Sequence, residues 1–584
     1  MQRNMIRNLV LVIVTLVLIL VPLIFGQSLA HAYGQQRMTL YSQSSPLLPY
    51  AHMLQSADPQ QSIDLSIGLR MRNEAAADAL LQAQRDPRSI HFQQYLSPQQ
   101  YLDRFAPTTT QVQQVGAYLQ SQGFQITTIA PDNLLIEATG TVAQAQQAFQ
   151  THIDLYRLKT MTFHANVSAP TVPAYLSPLI NSIGGLDDSI RYQPRYQGLA
   201  DSSPLIPHGR LSYDDAPAGF GPVELASAYD MAPLQNAGFR GENQSIALFE
   251  LDGFRQSDVD QYFQQYGLGS PKITTIPVNH FNGTAGQGAI EVELDLEVVG
   301  ALAPQANMLV YEGPGTVAGI NATYNEIVSD HKARIVVISW GLCEASTGNA
   351  ELQTLDTIFK SGALQGMIFV AAAGDAGAYD CHDTRLAVDS PADDPYVTGV
   401  GATNLQLNAG SYGGESVWSD GTTHVPGPLG AGSGGGVSAT FKMPDWQNGP
   451  GVQNTYSNGN RQVPDVTAVG DPTTGYSIYC TVTRASCSTS GWMITGGTSA
   501  AAPLWAAGLL LTDQYLQAQN RRLPGQMNAQ LYKLFNTRQP YSPFHDITQG
   551  NNLYYPATTG YDLASGIGSP DMYNIAQDLA ASAP

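Results

Sequence analysis

The chain has 584 residues, 43% of them hydrophobic and only 13% charged, with a formal net charge of −20. Its length exceeds one ordinary domain, and its composition supports large cores and excludes a mostly disordered chain. The negative charge excludes a nucleic-acid binder, which needs a basic face against phosphates. Four cysteines without a Cys-x-x-Cys pair exclude a disulfide-dense scaffold and give no sign of a zinc site.

Arg3 and Arg7 precede an uncharged apolar run over residues 9–25, and Ala30-His31-Ala32 follows. A basic start, an apolar centre and an A-x-A site predict a secretory signal peptide over residues 1–32, cleaved after Ala32. The run is almost long enough to span a bilayer, so an uncleaved anchor is the alternative. Export permits disulfides. Cys480 and Cys487 are close enough to close a small loop, which leaves Cys343 and Cys381 as the other pair.

Residues 45–195 alternate strand-like and helical signals and predict an α+β sandwich. Residues 62–69 alternate with period two; residues 73–85 and 110–123 are helical; residues 124–126 and 134–138 read as strands; residues 143–149 read as a helix. Residues 196–218 are rich in turn residues and lack an apolar period, which predicts an exposed linker, flanked by an exposed Arg195 and carrying Arg210. From 219 to 584, short apolar strands at 245–251, 307–311, 335–340, 367–373 and 397–400 alternate with helices. That pattern predicts an α/β domain with a doubly wound parallel sheet. Residues 401–497 read as long loops and residues 500–519 as a helix.

Charge divides along the same line. Residues 1–218 carry 14 acidic and 13 basic side chains, whereas residues 219–584 carry 33 and 14. The first segment is therefore expected to be held partly by attraction of its basic side chains to the second segment's carboxylates. An acidic domain with few bases suits acid conditions, and it equally suits simple solubility.

Three motifs carry chemistry. Gly496-Gly497-Thr498-Ser499 places a serine where a tight turn opens a helix, facing unpaired N–H groups; a plain N-cap would look the same. No His-Gly-Thr helix start supplies a histidine base, and His280 is the nearest substitute. Instead, Glu291-Val292-Glu293-Leu294-Asp295-Leu296-Glu297 puts Glu291 and Asp295 on one helix face, Glu293 and Glu297 on another. Buried carboxyls at that spacing share protons, and geometry alone favours neither pair. Asp375 follows an apolar strand in Gly374-Asp375-Ala376-Gly377, where a raised pKa would let it donate a hydrogen bond to an oxyanion.

Together and in this order, these residues resemble the sedolisin (serine-carboxyl) peptidases. Tyr95-Leu96-Ser97-Pro98, Gly140-Thr141-Val142, Ser339-Trp340-Gly341, Ser390-Pro391-Ala392, Gly434-Gly435-Gly436 and Val463-Pro464-Asp465 extend the likeness. The resemblance implies a subtilisin-like peptidase over 219–584, an activation propeptide over 45–195 and a maturation site in the 196–218 linker. It implies Ser499 as nucleophile, Glu291 as base, Asp295 as its partner, Asp375 as oxyanion-hole acid and Glu250 as a supporting residue. In part of the family a Trp after the Ser-Trp-Gly block extends the network, and residues 343–350 hold none. One structural Ca²⁺ is implied, with Asp546 and Asp562 as carboxylate ligands and carbonyls from Ile547, Thr558 and Gly560. The expected protein is a secreted, acid-active endopeptidase zymogen, monomeric after maturation, acting on proteins and on its own propeptide. A histidine-dependent subtilase and an inactive binding paralogue are the competing readings.

Overall fold

The computed structural model describes residues 36–40, 45–198, 219–420, 430–488 and 490–581. The signal segment and most of the linker, Arg210 included, lie outside them. Among the described residues no helix is long and apolar enough to cross a membrane.

The first segment builds two larger antiparallel sheets and a short pair, Arg37–Thr39 with Thr171–Pro173. One has four strands in the order Gln125–Ile129, Leu135–Thr141, Ser62–Leu69, Ile180–Gly184; the other pairs His52–Ser56, Ile153–Leu158 and Met161–Asn166. Helices Glu74–Arg85, Pro98–Arg104, Thr109–Ser121 and Val142–Phe149 complete it. Three of them open on capping boxes, Ser97/Gln100, Thr108/Gln111 and Thr141/Gln144, so the chain's own side chains fix where each helix starts. Leu65, Ile67, Val115, Ile136, Ala145 and Phe149 share its core.

The second segment is an eight-stranded sheet in the order Lys272–Pro277, Lys-to-Pro edge first, then Asn307–Glu312, Ser245–Glu250, Ile335–Ile338, Ile368–Ala372, Val397–Asn408 and Ser411–Val417, with Val466–Val469 also on Val397–Asn408. Every pairing is parallel except that of Val397–Asn408 with Ser411–Val417. Val336, Val337, Val370 and Ala371 have no exposed surface, as strands covered on both faces should. The first strand, Ser245–Glu250, lies inside the sheet, and the chain order changes direction around it, which opens a crevice at its carboxyl end. This is the subtilisin-like arrangement expected from the motifs.

Three departures have local reasons. Lys272–Pro277, an edge strand with mixed exposure, lacks the apolar run that marks its neighbours. The stretch expected as one strand over 335–340 breaks after Ile338, and Trp340–Cys343 pairs elsewhere, with Asp389–Ser390 and Gln193–Pro194. Residues 401–497 carry strands such as Gly436–Lys442, Tyr476–Tyr479 and Trp492–Gly496; their Gly, Ser and Thr content hides pairings made with distant partners. The disulfides are Cys343–Cys381 and Cys480–Cys487.

The two segments meet along helix Glu344–Leu364. Gln84 Nε2 donates to Leu364 O at 3.1 Å, Asn181 Nδ2 to Gln353 O at 3.0 Å, and Asn325 Nδ2 to Asp132 at 2.9 Å. Charge does not run one way here. Arg85 pairs with Asp445 at 2.9 Å as expected, but Lys360 of the acidic domain takes Glu74 and Asp78 of the first segment at 3.0 and 3.2 Å. The interface is a local match of charges and not a basic plate on an acidic one.

Burial pushes Glu137, Glu293 and Glu351 each up to about 8 and Asp132 to about 6. A carboxyl raised by folding stabilises the fold fully below its unfolded value near ~4, and that contribution is lost as pH climbs through the folded value. The melting temperature of the Ser499→Ala chain should therefore fall between pH 4.5 and 8.5, by about 5 °C or more. A rise across that range, read by calorimetry, would contradict the assignment of these groups as buried and neutral.

Candidate active site

Helix Thr498–Gln517 begins at the turn Gly496-Gly497, where Gly497 has φ +106°, a left-handed value that glycine tolerates. Ser499 therefore sits in the first turn, without exposed surface. Pro503 follows four residues on and offers no N–H to the Ser499 carbonyl. The Ser339 hydroxyl approaches that carbonyl at 3.4 Å instead, and it donates to Asp295 Oδ1 at 2.7 Å.

Helix Ala289–Leu302 packs beside it and is buried on every face, four carboxyls included. The two pairs part company here. Glu293 Oε1 accepts from Arg255 N at 2.9 Å and Glu297 Oε2 from Tyr479 N at 2.8 Å, so that pair anchors loops. Glu291 and Asp295 face the crevice. The Ser499 hydroxyl lies near enough to Glu291 to lower its pKa, though neither Glu291 oxygen nor Ser499 Oγ makes a hydrogen bond of good geometry. Burial first, then the Asp295 charge, holds Glu291 well above the usual carboxylate range. Burial pushes Asp295 up to about 8 against its bonds to Ser339 and Glu250. Glu250, at the end of its strand, is likewise raised by burial and by Asp295. Its Oε2 accepts from Trp340 Nε1 at 2.8 Å. The indole sought at 343–350 is thus the Trp of the Ser-Trp-Gly block itself, brought over by the break in the strand. His280 stands on a loop after Lys272–Pro277 and shares no hydrogen bond with Ser499 or Glu291.

Asp375 follows strand Ile368–Ala372 at a turn where Gly374 has φ +105°. Its Oδ1 accepts from Thr498 N and Oγ1, each at 2.8 Å, while Oδ2 has no partner. Burial pushes it up to about 7, despite those bonds and the nearby Arg195. A methyl on Gly497 would lie 2.7 Å from Asp375 Oδ2 and would collide with the Arg195 carbonyl. Both oxygens therefore lie against the same glycine.

That carbonyl belongs to the end of the first segment, which runs through the crevice. Gln193–Pro194 pairs antiparallel with Trp340–Gly341, and Gln197–Gly198 with Thr495–Gly496. Between them Arg195 N donates to Ser339 O, and Ser499 N donates to Arg195 O, both at 3.0 Å. Arg195, expected as an exposed linker residue, is 6% exposed. Its Nε and Nη2 bind Asp389 Oδ2 and Oδ1 at 2.8 and 2.6 Å, a bidentate buried pair. Asp380, on the loop after Asp375, adds its field to the same guanidinium. Neither acid was singled out in the sequence; the signal available was Asp389 standing directly before Ser390-Pro391-Ala392.

The expected calcium residues form one loop cluster. Gly560 N donates to Asp546, and Thr558 N to Asp562 Oδ2 at 2.8 Å, so both carboxyls converge on the 558–560 turn. The carbonyls of Ile547, Thr558 and Gly560 accept no hydrogen bond from another described residue. Burial raises Asp546 and pushes Asp562 to about 6. Two such carboxyls with free carbonyls make a hard oxygen set that fits Ca²⁺.

Residues 49–189 match the pro-kumamolisin activation domain and residues 278–532 the subtilase family. Kumamolisin of Bacillus sp. (strain MN-32) is 35% identical over 76% of this chain and 78% of its own length. Sedolisin of Pseudomonas sp. (strain 101) is 30% identical over 88% and 86%. The solved Pseudomonas sedolisin, a serine-carboxyl proteinase in complex with pseudo-iodotyrostatin, superposes with TM-score 0.53 at 27% identity, covering 63% of this chain and 99% of that one. A serine, a carboxyl cluster where subtilases keep histidine, and an activation domain joined to a subtilase domain agree with these relatives: the chain belongs to the sedolisin family of serine-carboxyl peptidases and carries its own propeptide.

Proposed function

We propose that this peptidase is an exported, acid-acting endopeptidase zymogen that cuts after arginine and makes its first cut in itself, between Arg195 and Tyr196. One observation carries the reading: the Arg195 carbonyl accepts from the N–H of Ser499 while the unpartnered Asp375 Oδ2 lies against the same glycine. In such a site Ser499 Oγ attacks the Arg195 carbonyl carbon and its proton passes to Glu291. Ser499 N–H and a protonated Asp375 hold the oxyanion. Collapse breaks the bond to Tyr196 N, which takes the proton back from Glu291. Water, losing a proton to Glu291, then attacks the acyl carbon, and Glu291 returns that proton to Ser499 Oγ as the acyl–oxygen bond breaks. Asp295 and Glu250 share the charge on Glu291 as a coupled set of carboxyls. The buried Asp389 selects a guanidinium at the cleaved residue.

Export is supported by the basic and apolar start and the A-x-A site, and two disulfides suit an oxidising compartment. Asp546 and Asp562, with the Ile547, Thr558 and Gly560 carbonyls, would hold one structural Ca²⁺, which when bound offsets the charges of the two carboxylates. Chelation should then lower the melting temperature, by about several degrees for a tightly held ion, and Asp546→Asn should remove the dependence. An unchanged melting curve in chelator would rule the ion out.

Acidifying the purified precursor should give a first new N-terminus at Tyr196 at a rate independent of dilution, while Ser499→Ala stays whole. A first cut elsewhere, or processing of Ser499→Ala alone, would defeat the self-cleavage reading.

Asp375 must keep its proton, and burial sets its value at about 7, so activity should fall as pH rises through 7, which keeps the optimum on the acid side. Asp375→Asn donates without titrating and should extend the alkaline limb at a rate about 10²-fold lower. Glu291→Gln should cost about 10³-fold or more and Glu293→Gln less than about tenfold, because a Gln oxygen still accepts from Arg255 N. Equal losses would place the base on the wrong face of the helix.

A further inference from the structure

The seated chain extends past the bond at Ser499, and one of its side chains takes no part in the chemistry above. Pairing of Gln193–Pro194 with Trp340–Gly341 fixes the register of the four residues that precede the cut. Gln193 is exposed and Pro194 half-buried, but Arg195 and Tyr192 are 6% and 4% exposed. Two anchors, the first and fourth residues before the bond, therefore enter the peptidase domain. Arg195 meets Asp389. Tyr192 joins the hydrophobic core of the second segment, with the half-buried Ile190 packed alongside. Its hydroxyl is enclosed, within reach of the Ser390 hydroxyl and in the field of Glu351 and Asp393. The Tyr324 ring, stacked on Phe249 at 3.8 Å, feels the same tyrosine.

The polar groups around Tyr192 belong to the peptidase domain, with Glu351 on the helix that the first segment packs against. Ser390 adjoins Asp389 on a strand held by Leu342–Cys343, and Glu351 is fixed by Asn321 Nδ2 at 3.2 Å. Both Asp393 oxygens and Glu351 Oε1 are buried without a hydrogen bond of good geometry. These groups remain after the propeptide leaves. A buried slot with polar groups at its far end suits a phenol, whose ring is apolar and whose tip is polar.

We propose that Ser390, Glu351, Asp393 and Tyr324 form a subsite for tyrosine at the fourth residue before the cleaved bond, so that the enzyme favours Tyr-x-x-Arg segments in substrates as in its own linker. This rests on the self-cleavage reading, which assigns Arg195 to the cleaved position. Arginine alone would leave the enzyme cutting many exposed chains; a second anchor four residues away demands an extended segment and limits the choice.

The test uses acid-processed enzyme and internally quenched heptapeptides on the pattern Tyr-Gln-Pro-Arg-Tyr-Gln-Gly, with Tyr, Phe or Ala at the first position, and a fourth peptide with Ala replacing the Arg. Tyr should exceed Ala in kcat/KM by roughly 10- to 100-fold, the range an apolar subsite gives, with Phe between them. Ser390→Ala should narrow the Tyr-to-Phe ratio by about threefold or more, the worth of one modest hydrogen bond, with an unchanged circular dichroism spectrum to report intact folding. Equal rates for Tyr and Ala, with the Arg-to-Ala peptide still poor, would remove this subsite and leave the peptidase reading standing. Cleavage of none of the four would take down both. An unchanged Tyr-to-Phe ratio in Ser390→Ala would overturn the assigned location.

Discussion

Carboxyl groups kept dry in the absence of enough cations are the constraint on which the rest of the molecule depends. Helix Ala289–Leu302 hides Glu291, Glu293, Asp295 and Glu297 together, and Glu250 and Asp375 lie buried at the ends of two strands of the sheet. Ionising several of them at once in a low-dielectric interior is prohibitive, so the site must carry protons. A histidine base would bring a positive charge into this crevice and work near neutrality; a carboxyl base beside a protonated carboxyl works where protons are plentiful. The same burial that builds the catalytic cluster therefore fixes the pH at which both of its states coexist.

The propeptide answers to the same constraint. Residues 193–198 bring one guanidinium into a crevice of carboxyls, and Asp389 pairs with it bidentately while Asp380 and Asp375 feel it. Leaving Asp389 without a partner would be costly, since an unpaired buried charge forfeits several kcal/mol, about 3–5. The zymogen is thus stabilised by the very contact that presents its own bond to Ser499. Elsewhere the interface relies on apolar packing, with Leu80, Leu81 and Leu96 against Leu364, and on exposed carboxylates that pair with Arg85 and Lys360.

How much of this could be read in the sequence follows from how local each feature is. Ser499 and Asp375 were legible because a glycine turn joining a buried strand to a helix, or ending one, is a local pattern. The choice between Glu291/Asp295 and Glu293/Glu297 was not, because i,i+4 pairs are equivalent until the helix has neighbours; Arg255 N and Tyr479 N decide it, one 38 residues before Glu293 and the other 182 after Glu297. Arg195 was misjudged for a physical reason. A charged residue beside Pro194 in a turn-rich stretch reads as solvated, and only its pairing with Asp389, 194 residues away, buries it. Trp340 was overlooked as the partner of Glu250 because an apolar run continuing through Ile338 gives no sign that the strand leaves the sheet at Ser339.

Specificity in this crevice is set as much by what is missing from the backbone as by side chains. A methyl on Gly341 would collide with Asp389 Oδ2 and come within 2.8 Å of Ser390 O. Gly341 is also the residue that pairs with Gln193. One bare position thus lets Gln193–Pro194 lie flat against Trp340–Gly341 and lets Asp389 reach the Arg195 guanidinium beside it. Gly497 does the same on the other side of the bond, admitting the Arg195 carbonyl and Asp375 Oδ2 to one spot. Any larger residue at either glycine would push an acid out of place, Asp389 from the Arg195 guanidinium in one case and Asp375 from the spot it shares with the Arg195 carbonyl in the other. Binding and catalysis are in this way both fixed by close backbone approach, and neither glycine can vary without the acid beside it moving too.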